Sequence, residues 1–383
     1  MKYLLNRISF MLMILISSGN VFSDCNEKNQ SNFKKIVQRA TNNALPAAGL
    51  YYQKNNCIIQ LAEGYSNLAT KIKIQNNARF DIGSITKTFV AVTSVKLAKA
   101  GAFSLDDTLQ QWLPTEITDH IPESNVITIR QLLSHTSGIA DFLEDEFILD
   151  SGQPWTELDV LRYVFDLPLL SEPGTQYYYS NTNYVLMGLI INEATNKPFA
   201  TNIRELIIEP LGLNDTFHLS EKNHYLEYVH GYGALEGVVE LLDTHDIVKT
   251  TPFADGQMIS SLHDLAIFIQ AIFTNKTFMD DALLETLLTS PVVDSHYKLG
   301  IVTALINDKA FYSHGGFEPG YSTQLRYSPI TKETIVFFVT GTSLSHESNM
   351  KVGEDDMTVF SGAYEYELQR AFRISTKIQS GTD

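Results

Sequence analysis

Ser84 and Lys87 stand three residues apart in Asp81-Ile82-Gly83-Ser84-Ile85-Thr86-Lys87-Thr88-Phe89. Residues i and i+3 share a helical face, so this hydroxyl and amine can meet within one turn. A serine hydroxyl is a poor nucleophile at neutral pH until an adjacent base takes its proton. A lysine can be that base when burial or a nearby cation lowers its pKa. The pair therefore suits acyl transfer through a covalent intermediate on Ser84. The spacing alone is not selective, because Ser31/Lys34 and Ser295/Lys298 match it too. Taken singly, any of them can be a polar pair on a solvated helix face.

Two later stretches supply what Ser84 and Lys87 lack. In Tyr179-Ser180-Asn181 a phenol can relay a proton and an amide can hold both the lysine and a substrate carbonyl. In His314-Gly315-Gly316 the glycines let a substrate lie against a strand edge, and the imidazole can donate to a carboxylate or leaving group. A histidine is only partly charged near neutrality, so capture of carboxylate-bearing substrates should weaken as pH rises through its range.

These residues need elements to position them. Residues 26–42 read as a helix, and Ala47–Gln53 and Cys57–Glu63 as a hairpin turning at Asn55-Asn56. Phe80-Asp81-Ile82 leads into a helix from Ser84 to about Ala100, with Gly101 as its stop. Mixed helices and loops follow to residue 180, then a helix over Tyr184–Ala194 and more helix near 200–210, 261–274 and 280–289. From about 297 the period changes to strands at 297–304, 310–313, 321–327 and 333–340, and an amphipathic helix covers 355–373. The expected fold is α+β, an antiparallel sheet flanked by N- and C-terminal helices with an inserted helical domain. In that arrangement residues 24–82 and 291–383 build the sheet domain, 83–290 the insertion, and the site lies at their junction.

Composition sets the boundaries. The chain has 383 residues, 44% hydrophobic and 19% charged, with a net charge of −16. Such an acidic chain is a poor partner for nucleic acid or anionic lipid. Residues 1–23 read as a signal peptide: Lys2 and Arg7, the apolar run Ile8–Ile16, and small residues before Asp24. No later run is long enough to span a membrane, so the protein is expected to be exported, periplasmic or secreted. The two cysteines, Cys25 and Cys57, can pair in an oxidising compartment. The histidines show no H-x-H or H-E-x-x-H spacing, so no metal site is expected. No G-x-S-x-G surrounds Ser84, which argues against a Ser-His-Asp hydrolase.

Together these motifs resemble the serine β-lactamase/DD-peptidase superfamily, the branch with class C β-lactamases, soluble D-Ala-D-Ala carboxypeptidases, D-aminopeptidases and related esterases. The resemblance runs through Phe80–Thr88, Phe103–Asp107, Leu132–Ile139, Glu172–Thr175, Tyr179–Asn181, Tyr184–Gly188, Ser260–Leu265, His314–Gly316 and Gly320–Ser322. It implies a cofactor-free serine hydrolase with Ser84 as nucleophile, Lys87 as its proton acceptor and Tyr179 as general base/acid. Asn181, His314, Gly315 and Gly316 bind substrate, and the backbone N–H groups of Ser84 and Phe317 form the oxyanion hole. The resemblance also assigns Ser31/Lys34, Ser295/Lys298 and the second Tyr-Ser-Asn at 65–67 to structure, the last as a turn. His135 is expected to hydrogen-bond a helix end or loop, and Asp106 and Asp107 to cap an element. The class C enzymes carry Lys and Thr where this chain has His314 and Gly315, which weakens capture of a β-lactam carboxylate. The leading expectation is a D-Ala-D-Ala carboxypeptidase-like peptidase or amidase. An esterase or weak class C-type β-lactamase, and a non-catalytic penicillin-binding or scaffold protein, are the alternatives. The partner is a small peptide, amide or ester, cell-wall peptide or β-lactam among them.

Overall fold

Alternation along two central strands divides their side chains between two cores. Ala48, Leu50 and Tyr52 join one apolar cluster, whereas Ala47 and Tyr51 join another; Ile335, Phe337 and Val339 separate from Val336 and Phe338 in the same way. A period of two with both faces apolar requires a sheet covered on both sides. The computed structural model shows that sheet. It describes residues 21–23, 25–42, 45–143, 155–221, 227–234, 241–246, 253–292, 295–306 and 309–343. The expected helix at 355–373 and the first 20 residues of the expected signal peptide lie outside the described residues.

The elements that matter, in chain order, are β1 (Val21–Ser23), α1 (Glu27–Asn42), β2 (Ala47–Lys54), β3 (Cys57–Asn67) and β4 (Arg79–Asp81). Helix α2 (Thr86–Lys99), α3 (Ile129–Leu133), α4 (Asn181–Thr195), β5 (Phe217–His218), β6 (Met258–Ser261) and α5 (Leu262–Thr274) follow. The chain then forms β7 (Val302–Ile306), β8 (Lys309–Glu318), β9 (Tyr321–Ser328) and β10 (Glu333–Thr340). The main sheet is antiparallel, in the order β1-β3-β2-β10-β9-β8-β7. N-terminal and C-terminal strands meet at β2–β10, where Ala47 pairs with Thr340 and Lys54 with Glu333. A small sheet, β4-β6-β5, lies beside it. Among the described residues no helix is long and apolar enough to cross a membrane.

One face is covered by α1. Its Phe33, Ile36, Val37 and Ala40 recur on a single helical face and bury against Leu50, Tyr52, Ile59 and Phe337. Each large apolar side chain buried there contributes about 1.5–3 kcal/mol. Cys25 and Cys57 form a disulfide that ties the start of α1 to the start of β3. The other face is covered by α5, and α2 packs on α5 through Phe89 stacked on Phe268. Helix α2 is buried all round from Thr86 to Val95, its Thr and Ser side chains included, so it runs through the interior and carries Lys87 with it.

Three expectations are corrected. Tyr65-Ser66-Asn67 forms the end of β3, paired with Ile72-Lys73, rather than a turn. The strand expected at 297–304 begins at Val302, and the one expected at 310–313 extends to Glu318. The first starts late because Lys298 and Gly300 are tied by other bonds: the Lys298 amide donates to Ile301 O and the Gly300 amide to Leu133 O. The second extends because Gly315, Gly316 and Phe317 pair with Gln324, Thr323 and Ser322 of β9.

Candidate active site

Gly83, Ser84 and Ile85 make a single 3-10 turn at the entry to α2. The Gly83 amide donates to Asp81 Oδ1 at 2.8 Å, which fixes how the chain leaves β4. Gly83 has φ +49°, and a Cβ there would lie 2.6 Å from the Phe317 nitrogen. A Cβ on Gly316 would lie 1.9 Å from the Ile82 carbonyl oxygen. Only glycines permit this backbone-to-backbone approach, and it sets the Phe317 amide alongside the Ser84 turn. Strand β8 pairs with β7 only as far as Ser313, so the edge of His314–Glu318 on that side carries no β7 partner.

Lys87 is wholly buried, one helical turn past Ser84. Its Nζ lies 3.0 Å from Ser84 Oγ, 2.7 Å from Asn181 Oδ1 and 2.7 Å from the Asp255 carbonyl oxygen. Burial pulls its pKa down to about 8, against the opposing pull of the Asp255, Asp141 and Glu318 carboxyl groups. The partners decide how the neutral amine must sit. A carbonyl oxygen only accepts. The Asn181 amide nitrogen donates to Asp141 Oδ2 at 2.9 Å, so its oxygen is the atom facing Lys87. The two protons of a neutral amine are thus taken by Asn181 and Asp255, and its lone pair is left for the Ser84 hydroxyl proton. The Tyr179 ring centre lies 5.1 Å from the same Nζ.

The carboxyl groups near Lys87 are the part sequence reasoning missed. Burial raises Asp141 to about 6 and raises Asp255 as well, with Lys87 partly offsetting both. Burial, and then the Asp81 and Asp255 charges, hold Glu318 well above the usual carboxylate range, and burial also raises Asp81. Glu318 Oε1 accepts from Gln257 Nε2 at 3.0 Å. Asp81 was visible inside the Ser84 stretch and Glu318 follows Phe317 directly. Asp141 and Asp255 sit in no motif and are brought in only by the tertiary fold.

His314 differs from the charged anchor expected of it. Its Nδ1 lies 2.6 Å from the Gly315 carbonyl oxygen, so Nδ1 carries the proton, and Nε2 accepts from the Tyr297 hydroxyl at 3.0 Å. Burial pulls its pKa to about 4, with the Lys87 charge pushing the same way. A pKa of about 4 leaves the ring neutral near neutrality, so carboxylate binding is predicted to vary little from pH 5 to 8 instead of weakening with rising pH. Tyr297, which fixes the ring, was not singled out in the sequence. Gly315 faces the Gln324 side chain across the sheet.

The decoys stay apart from this cluster. Ser31 and Lys34 lie on α1, and Ser295 Oγ donates to the Tyr297 carbonyl oxygen. Asp107 accepts from the Ser104 amide and Trp112 Nε1 in local structure, and Asp106 pairs with Arg130 of α3.

A family model described as Beta-lactamase matches residues 33–352. The chain belongs to this family, a family of serine hydrolases. Penicillin-binding protein 4* of Bacillus subtilis (strain 168) is 30% identical over 293 residues, 72% of this chain and 63% of that protein. Protein flp of Staphylococcus aureus (strain N315) is 28% identical over 245 residues, 63% of this chain and 48% of its own length. The chain thus spans about half to two thirds of these relatives. The structure of D-amino acid amidase from Ochrobactrum anthropi SV3, complexed with L-phenylalanine amide, superposes with a TM-score of 0.77 at 22% identity, covering 92% of this chain and 99% of that one. An octameric penicillin-binding protein homologue from Pyrococcus abyssi gives 0.73 at 22% identity, covering 90% and 77%. These likenesses establish the β-lactamase/penicillin-binding-protein fold.

Proposed function

We propose that the protein is a serine hydrolase that forms an acyl-enzyme on Ser84 and acts on small amides and peptides, in the manner of a D-Ala-D-Ala carboxypeptidase or D-amino-acid amidase. One observation carries this reading: a buried lysine amine, at about 8, whose donors are committed to Asn181 and Asp255 while its remaining contact is Ser84 Oγ. In the first step Ser84 Oγ bonds to the substrate carbonyl carbon as its proton passes to Lys87 Nζ. The oxyanion accepts from the Ser84 and Phe317 amides; one such donor is worth about 10²–10³ in rate. The C–N or C–O bond then breaks, and Tyr179 relays the proton to the departing amine or alcohol. Water next attacks the ester carbonyl, giving its proton to the same base, and releases Ser84. Asn181 and the open edge of His314–Glu318 hold the substrate as an added strand.

The neutral His314 favours amides and peptides over β-lactams. It offers no positive charge to a β-lactam carboxylate, and its Nδ1 proton is engaged by Gly315. The Cys25–Cys57 disulfide and the pattern of residues 1–23 support an exported location. The test is a substrate panel with one enzyme preparation: D- and L-amino-acid amides, a D-Ala-D-Ala peptide, a short-chain nitrophenyl ester and a chromogenic β-lactam. Turnover of a D-amide or the D-Ala-D-Ala peptide above the β-lactam supports the reading. Rapid β-lactam turnover with none of the amides, or ester turnover alone, replaces it with the corresponding alternative.

A further inference from the structure

His135 follows α3 by two residues and has a backbone φ of +55°. Non-glycine residues adopt this conformation rarely, and it persists where the surroundings over-determine it. Its side chain is fully buried. The ring centre lies 4.2 Å from that of Tyr179, 4.7 Å from Tyr297 and 5.2 Å from Tyr184. Nδ1 is 3.2 Å from the Ser180 backbone nitrogen and 3.2 Å from Asn183 Nδ2. The Ser180 N–H can only donate, so Nδ1 is an acceptor and the ring proton sits on Nε2. Nε2 has no hydrogen-bond partner among the described residues. The His135 carbonyl oxygen accepts from the Tyr178 amide at 2.9 Å.

These bonds bracket Tyr179. Tyr178 before it and Ser180 after it are both held by His135, and Asn183 is held one turn along α4. The Ser180 peptide joins Tyr179 to Asn181, whose side-chain oxygen accepts a hydrogen bond from Lys87 Nζ. On its other side the ring abuts Tyr297, which holds His314. A residue needed only for volume would not have to commit its acceptor to the peptide between two members of the site.

We infer that His135 is a positioning residue for acyl transfer: its unprotonated Nδ1 holds the Tyr179-Ser180-Asn181 turn so that Tyr179 and Asn181 face Lys87. This rests on the reading that Ser84 is acylated. Burial, reinforced by the Lys87 charge, keeps His135 far below the usual imidazole range, and this agrees with the acceptor role.

Three substitutions separate the acceptor from the ring and the backbone. His135→Asn keeps an acceptor near the Nδ1 position and tolerates positive φ, as His135→Gly does without an acceptor. His135→Phe keeps the ring and loses the acceptor. Single-turnover acylation by a short-chain nitrophenyl ester is followed with each folded variant. We expect His135→Phe and His135→Gly to slow acylation by about 10- to 100-fold, as for a displaced catalytic group. The half-saturating ester concentration should change by less than about threefold, and His135→Asn should stay within about fivefold of the parent rate. A Phe or Gly variant acylating at the parent rate, or an Asn variant as slow as the Gly variant, overturns the inference. Should His135→Phe not fold, the Asn and Gly pair decides. Nitrogen-15 shifts of His135 in the parent protein give a readout independent of activity: the neutral Nε2–H tautomer is expected, and an Nδ1–H tautomer contradicts the assignment. If the parent itself is never acylated, the functional reading fails while the tautomer result still stands.

Discussion

The two faces of the main sheet are packed on different principles. Behind it, α1 lays Phe33, Ile36 and Val37 on Leu50, Ile59 and Phe337, an apolar contact closed at one end by the Cys25–Cys57 disulfide. In front, the buried α2 brings a lysine amine among Asp141, Asp255 and Glu318 beside two glycine-to-backbone contacts. The back needs only volume and burial. The front buries polar groups, and His135 Nε2 and Asp255 Oδ1 have no hydrogen-bond partner among the described residues; each such group costs about 1–3 kcal/mol and a buried charge more. Damage behind should therefore lower stability and spare chemistry, and damage in front should impair chemistry more than stability.

The largest separation is expected from Lys87→Met. Removing the base should slow acylation by about 10²–10⁴-fold while the protein stays folded, as read by single-turnover kinetics beside circular dichroism. Parent-like acylation would remove Lys87 from the mechanism. Phe337→Ala tests the opposite face. It should cost about 3–5 kcal/mol in a denaturant titration, with the acylation rate of the folded protein within about twofold of the parent because the cavity lies outside the site. A large rate loss there would mean that the faces are coupled. Gly83→Ala comes next, since its Cβ would collide with Phe317 and its φ is unfavourable. The expected acylation loss is about 10²-fold, with a smaller fall in melting temperature than Phe337→Ala produces.

The smallest effects are in pH dependence. Lys87 titrates at about 8 in the fold against 10.5 when free. Its neutral, basic form grows as pH rises, so acylation should climb with pH below about 8 and level above it. For stability the sign is separate: the folded state releases this proton first, so the Lys87 contribution improves from about pH 8 toward 10.5. Asp141 runs the other way, being raised from 3.8 to about 6. Its folded state keeps a proton that the unfolded chain releases, so its contribution is present below about pH 4 and is lost as pH rises through about 6. Asp141→Asn should flatten that fall. It should also move the acylation midpoint down by less than about one unit, because the carboxylate supports the Lys87 charge. A midpoint that moves up would contradict the assigned electrostatics.

The legible parts of the sequence were those with a short-range signature. The helix at 26–42, the hairpin at Asn55-Asn56 and the strand at 333–340 matched the observed elements, because residue type and turn chemistry mark each of them locally. Ser84, Lys87, Tyr179, Asn181 and His314 could be nominated because their motifs recur as local strings. Asp141 and Asp255 could not: they occupy loops, and what matters about them is the charge they present to Lys87 across the fold. The charge of His314 was also invisible, since it depends on burial and on Tyr297, seventeen residues earlier. Tyr65-Ser66-Asn67 shows the converse, a string that reads as a turn yet continues a strand because Ile72-Lys73 pairs with it.

The central claim is that Ser84 carries the acyl group. Intact mass over time, with the protein and Ser84→Ala each incubated with a fluorescent penicillin and a short-chain nitrophenyl ester, addresses it directly. The account predicts an acyl adduct that maps to Ser84, transient or stable according to deacylation, and neither adduct nor turnover in Ser84→Ala. Equal turnover by both proteins, or no adduct and no turnover in either, would contradict it.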